Sequence, residues 1–170
     1  MDIKKELLKE HSKRQTTKVV NYIGNDPDRF NSLIKIFLEG PYRVTQRAAW
    51  PLSYCVAAHP QLIKPHLQSV LKMLDKKYVH VAVKRNILRF LQDIEIPKRY
   101  YGFVTDLCFS LMDPKETIAV RVFAMTVLAH IAREEPDLKK ELKIVIEDQL
   151  PYASAGYLSR ARKVLKELEK

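Results

Sequence analysis

The densest run of binding chemistry in the sequence is Lys98-Arg99-Tyr100-Tyr101, two cations followed by two phenols. Two kinds of chemistry suit it. Tyrosine rings stack on bases while lysine and arginine hold phosphates. Tyrosine and arginine also anchor protein partners, because each combines a large contact area with a polar tip. The plain alternative is packing, with one tyrosine in the core and the other half-exposed at a rim. Lys64 and Lys72 stand eight residues apart and Lys139 and Lys143 four apart, so on a helix each pair shares a face. Lys76, Lys77 and Lys140 lie in the same stretches, where Glu141, Glu147 and Asp148 dilute the charge. Arg85 and Arg89 share another face, expected to be a solvated outer one. Trp50 and Tyr54 are further aromatics that a partner can use.

Reactive side chains are sparse by comparison. The sequence has no glycine-rich phosphate loop, nucleophile elbow, zincin helix or Cys-x-x-Cys pair. Its five histidines, His11, His59, His66, His80 and His130, are scattered. His59 and His66 are seven apart, but a metal site needs further ligands at matched geometry. Cys55 and Cys108 sit in apolar stretches without a partner base, which reads as two buried, reduced thiols. The expectation is therefore no catalytic residue, no metal and no cofactor.

The formal net charge is +10 and the isoelectric point near 9.6. A field of that sign attracts phosphate backbones, anionic lipid or acidic proteins. The charges are spread along the chain, which equally suits a solvated, lysine-rich surface. Apolar residues make up 46% of the chain, enough for a continuous core and too much for a disordered chain. The sequence has no run of about 20 apolar residues, the length that a membrane-crossing helix needs, and residues 1–6 contain no apolar signal core. With reduced cysteines, these features lead to a cytoplasmic expectation.

The elements that position these residues repeat. Pro60, Pro97 and Pro136 stand 37 and 39 residues apart, each followed by a stretch of helical apolar periodicity. A fixed period of this size, carried by paired helices, is the signature of a solenoid. Three first helices are expected over residues 42–58, 78–94 and 115–133. Three second helices are expected over 60–74, 97–112 and 136–150, with a last helix over 154–169. Pro51 should kink the first of these or split it near Trp50, and Pro65 raises the same question for the 60–74 helix, whose alternative start is Pro65. The first helices superpose on Ala49, Ile87, Ala124 and Ala161, then Leu52, Phe90, Val127 and Val164, then Val56, Ile94, Ile131 and Leu168. Asp2, Ser12 and Asp26 with Pro27 cap three earlier helices.

Residues 112–128, MDPKETIAVRVFAMTVL, resemble the start of a HEAT repeat. An aspartate-containing turn precedes Val120-Arg121, then Ala124, then Leu128. Residues 60–67 resemble the second helix of such a repeat. Elsewhere Val83-Lys84 keeps the shape, Thr45-Gln46 loses the charge, and Leu158 stands at the Arg121 position, so the family's Asp–Arg ladder is in doubt. Arg121 is expected to pair with Asp113 or Asp75. The resemblance implies an all-α, right-handed α-solenoid of three to four antiparallel helix pairs. Residues 1–40 would be an N-terminal cap and degenerate repeat and residues 41–170 the repeats and a capping helix, all one domain. It further implies first helices outside and second helices lining a concave surface, which usually binds protein. That surface would carry Lys64, Lys72, Lys98, Arg99, Tyr100, Tyr101, Lys139 and Lys143. The expected partner is another protein, acidic in character, with nucleic acid the alternative, no membrane, and monomer the favoured state. One HEAT-like class cleaves alkylated purines from DNA, and for that chemistry Asp106 near Tyr101 is the faint candidate.

Overall fold

The computed structural model describes residues 1–170, and they form ten α-helices and three short 3-10 segments without a strand. The helices are α1 (Ile3–Lys9), α2 (Lys13–Ile23), α3 (Pro27–Glu39), α4 (Tyr42–Ala58), α5 (Leu67–Leu74), α6 (Val81–Leu91), α7 (Tyr101–Ser110), α8 (Ile118–Ala132), α9 (Pro136–Gln149) and α10 (Ala155–Leu168). They group into two compact units, Met1–Ile94 and Glu95–Lys170.

In the N-terminal unit α4 is the central helix, packed on α1, α2, α3 and α6. The first three helices start where capping chemistry places them. Asp2 accepts from the Lys5 amide at 3.0 Å, Ser12 from the Gln15 amide at 3.2 Å, and Asp26 from the Asp28 and Arg29 amides at 2.9 and 3.1 Å. Each such cap contributes about 1 kcal/mol. Gly24 ends α2 with φ 51°, a conformation a side chain would strain. Pro51 lies buried inside α4, which runs unbroken from Tyr42 to Ala58 rather than splitting at Trp50. Ser53 links α4 to α6, its hydroxyl 2.8 Å from the Trp50 carbonyl and 3.2 Å from Asn86 Oδ1. Glu6 is buried among Lys18, Lys9 and Gln15, and these donors, Lys18 foremost, hold its carboxyl down at about 2.

The prolines correct the expected start of two second helices. Pro60–His66 is a 3-10 segment, and α5 begins only at Leu67. Pro65 has no N–H to donate back to residue 61, which costs the α-helical ladder a bond there. Likewise Lys98–Tyr100 is a 3-10 turn ahead of α7. The first helix expected over 78–94 also shortens to α6, because the His80 ring accepts from the Ala82 amide at 3.0 Å and starts the helix there.

In the C-terminal unit α8 packs on α7, α9 and α10. It is apolar around most of its circumference, as a central helix must be. Val120, Ala124, Val127, Leu128, Leu142, Ile146 and Tyr157 are fully or almost fully buried. Arg121 does not pair with Asp113 or Asp75. Its guanidinium donates to Gln149 at 2.6 Å and lies over the Tyr157 ring, 4.5 Å from the centroid. Gln149 in turn donates to the Met112 carbonyl at 3.1 Å. Asp113 instead accepts from the Lys115 amide at 2.7 Å, tying the turn before α8.

The repeat register is visible as burial. Ala49, Ile87, Ala124 and Ala161 are buried, as are Leu52, Phe90, Val127 and Val164. A fully buried side chain of this kind contributes about 1.5–3 kcal/mol. At the third position Val56 and Ile131 are buried, while Ile94 and Leu168 are only half-buried. Ile94 lies past the end of α6 and Leu168 is the last residue of α10, so neither has a following turn to pack beneath.

Candidate partner-binding surface

Pro97 opens the 3-10 turn with an extended ψ, and the Tyr100 amide closes it on the Pro97 carbonyl at 2.8 Å. This turn throws Lys98 and Arg99 outward and leaves Tyr100 and Tyr101 half-buried beneath them. The two halves of the motif separate at once. Lys98 Nζ sits 2.9 Å from Glu134, just beyond α8, and Glu134 also accepts from the Tyr101 hydroxyl. Lys98 consequently holds the Glu134 carboxyl below its usual value, and Glu134 raises the Lys98 ammonium. Burial first, and the Glu134 charge second, raise the Tyr101 phenol. Arg99 is exposed and stacks on Tyr100, 5.0 Å from the ring centroid. An exposed stack of this kind is worth about 0.5–1 kcal/mol, and it holds an arginine and a tyrosine in one orientation.

The other expected residues are placed as follows. Lys139 and Lys143 are on α9 and share a face, as their spacing requires. Lys143 is 3.8 Å from Glu147. Lys139 borders an open hollow of about 460 Å³ with Arg133, Glu167 and Lys170, where Arg133 reaches Glu167 at 3.3 Å. Lys64 and Lys72 belong to the N-terminal unit. Lys64 is in the 3-10 segment and Lys72 in α5, both exposed. They do not share one α-helix, so their spacing of eight does not by itself fix a common face. Asp106 is exposed rather than recessed, unlike the acid a base-excising groove needs.

Trp50 is half-buried in the N-terminal unit, edge-on to His11 at 5.5 Å and tilted against Tyr54 at 6.5 Å. Burial, then the charges of Arg47 and Arg85, hold the His11 imidazole below its usual value. Trp50 is the only tryptophan, so its fluorescence should follow His11 protonation with a midpoint below the ordinary histidine value of about 6.5. A midpoint above that value would contradict the packing described. The sign for stability follows. A lowered folded pKa means that the unfolded chain takes up the proton first, so acid below about pH 6.5 weakens the N-terminal unit. Glu6 adds to this at lower pH. Its contribution is complete above the ordinary carboxyl range and is lost as pH falls towards 2.

His66 tilts over Phe30 at 6.0 Å, a packing role. Cys55 and Cys108 are buried, and burial pushes both thiols up to about 12. At pH 8 a thiol-disulfide reagent should therefore label the native chain only as fast as it unfolds. Complete labelling within the mixing time, with the helical signal unchanged, would refute the burial.

Sequence reasoning passed over the aromatics between repeats. Tyr42, Tyr78 and Tyr152 are 67%, 83% and 93% exposed. Tyr78 and Tyr152 each stand two residues ahead of the residue that caps the next helix, His80 and Ser154. They are 74 residues apart, two periods of 37. That recurrence was available as a signal, but an apolar-periodic reading assigns any tyrosine beside a helix to the core.

A family model described as a HEAT repeat domain matches residues 3–168. Among solved structures, a designed armadillo repeat protein superposes with a TM-score of 0.63 at 13% identity, over 97% of this chain and 80% of that one. At that identity the likeness concerns the fold alone, an α-solenoid. No curated protein matches the chain. No helix is long and apolar enough to cross a membrane.

Proposed function

We propose that this chain, which belongs to the HEAT repeat family, is a non-enzymatic scaffold that binds another protein through the face of its second helices. In the C-terminal unit that face is built from Lys98, Arg99, Tyr100 and Tyr101 together with Lys139 and Lys143 of α9. In the N-terminal unit the same role falls to Lys64 and Lys72. The observation that carries the reading is the Arg99–Tyr100 stack, an ordered cation on a half-buried ring beside the Lys98–Glu134–Tyr101 cluster. Hot spots are made of such residues, held rigid before the partner arrives. The net charge of +10 favours an acidic partner through faster encounter.

Nucleic acid is the second reading, favoured by that same charge. The charge pairing in the C-terminal unit weighs against it. Lys98 and Lys143 already face Glu134 and Glu147, so a phosphate would have to displace a carboxylate at each. A photo-crosslinking amino acid at position 100, compared with one at exposed Ser159 in the native host, separates the readings. A discrete protein adduct at position 100, resistant to nuclease and missing at position 159, is the expected result. A nuclease-sensitive adduct, or the same adducts at both positions, would overturn the proposal.

A further inference from the structure

In the N-terminal unit the ends of α3 and α5 and the beginnings of α4 and α6 enclose a cleft of about 170 Å³. Its floor is apolar, from Leu38, Met73 and Val83, and its walls are Tyr42, Tyr78 and His80. The walls are ordered. His80 is pinned by the Ala82 amide on its Nδ1, and Tyr42 stands edge-on to that ring at 5.6 Å. The floor is tied by Thr45, whose hydroxyl lies 3.0 Å from the Phe37 carbonyl and 3.1 Å from the Gly40 carbonyl. Gly40 borders the cleft and contributes no side chain to fill it.

The surroundings are electropositive. Lys76 borders the cleft, and Lys77 lies over the Tyr78 ring at 5.5 Å. Arg43 is exposed on the first turn of α4. Asp75 and Glu39 are the neighbouring carboxylates. The α4 terminus has no side-chain cap, since Pro41 precedes it, so the positive end of that helix dipole adds to the field. An apolar slot with room for one large side chain, ringed by phenols and lysines, selects an apolar residue flanked by carboxylates.

We propose that this cleft binds a short acidic segment of a partner protein through one apolar anchor side chain. The site is separate from the second-helix face of the C-terminal unit and does not depend on it. The test uses the full isotope-labelled chain and three synthetic peptides, EEEDFDEEE, EEEDGDEEE and KKKNFNKKK, followed by amide chemical shifts. The phenylalanine-containing acidic peptide should shift the Tyr78, Val79 and His80 amides saturably, with a Kd below about 1 mM. The other two peptides should bind at least about tenfold more weakly, and so should the first peptide to a Tyr78→Ala, Lys76→Glu double variant. Both altered side chains are exposed, so that variant keeps its fold. Arg99→Glu should leave the titration unchanged, which separates this site from the proposed scaffold face. Equal binding of the glycine peptide, shifts centred elsewhere, or no saturable shift would each overturn the proposal. So would the same amides responding to protein concentration alone, as for a second copy, or to duplex DNA.

Discussion

Truncating Tyr157 to alanine should lower the stability of the C-terminal unit by about 3–5 kcal/mol. Tyr157 is fully buried and is the largest such side chain in the chain. Its ring supports α10 against α8 and carries the Arg121 guanidinium on its face. Alanine would leave a cavity and strip Arg121 of that contact, leaving Gln149 as its remaining partner. The hydroxyl behaves differently. It is buried and makes no well-formed hydrogen bond; its polar neighbour is the Arg121 guanidinium, and burial outweighs that charge to raise its pKa. An unpaired buried hydroxyl costs about 1–3 kcal/mol of desolvation, so Tyr157→Phe should be neutral or stabilising by about 1 kcal/mol. Denaturant midpoints of the two variants read both effects. A Phe variant that loses as much as the Ala variant would mean that the hydroxyl, and not the ring, holds the unit together.

Gly40→Ala should destabilise the N-terminal unit by about 2–3 kcal/mol. The reason is space and not backbone freedom, because φ at Gly40 is −70° and any residue adopts it. The Gly40 amide closes the last turn of α3 on the Ile36 carbonyl at 3.0 Å. A Cβ there would press into that same oxygen and come within 2.9 Å of Val44 Cγ1. Gly102 is the control. It lies in α7 with nothing within 4 Å of an added Cβ, so Gly102→Ala should stabilise by about 0.5–1 kcal/mol. Thermal unfolding of the pair decides the matter. Equal shifts for both variants would contradict the close approach at Gly40.

These residues also show what the sequence made legible. The 37-residue period placed Ala124, Val127 and Ile131 on the buried side of α8, and the equivalent positions in the other first helices followed. Caps at Asp2, Ser12 and Asp26 were readable because a short polar side chain before an apolar stripe is a local signal. The departures are non-local or depend on proline. Pro65 turned the start of one helix into a 3-10 segment, so Lys64 and Lys72 stand on different kinds of turn. Arg121 found Gln149, 28 residues away, and the Tyr157 ring in α10, neither of which a turn-based reading can supply. Lys98 was legible as a cation but not as one half of an ion pair, since Glu134 meets it only in three dimensions. Tyr78 was hidden because its loop resembles the start of the helix that follows.

The central claim is that the cations of the proposed scaffold face serve a mixed, protein-binding surface and not a phosphate groove. Its most direct test is the salt dependence of binding between the full chain and a 20-base-pair DNA duplex of about average composition. Each phosphate contact contributes about −0.9 to the slope of log K against log salt. Pairing of Lys98 and Lys143 with carboxylates leads to weak binding with a slope no steeper than about −2, unchanged by Arg99→Glu. A slope of about −4 or steeper, flattened by reversing Arg99 or Lys139, would contradict the claim and make the face a nucleic-acid surface.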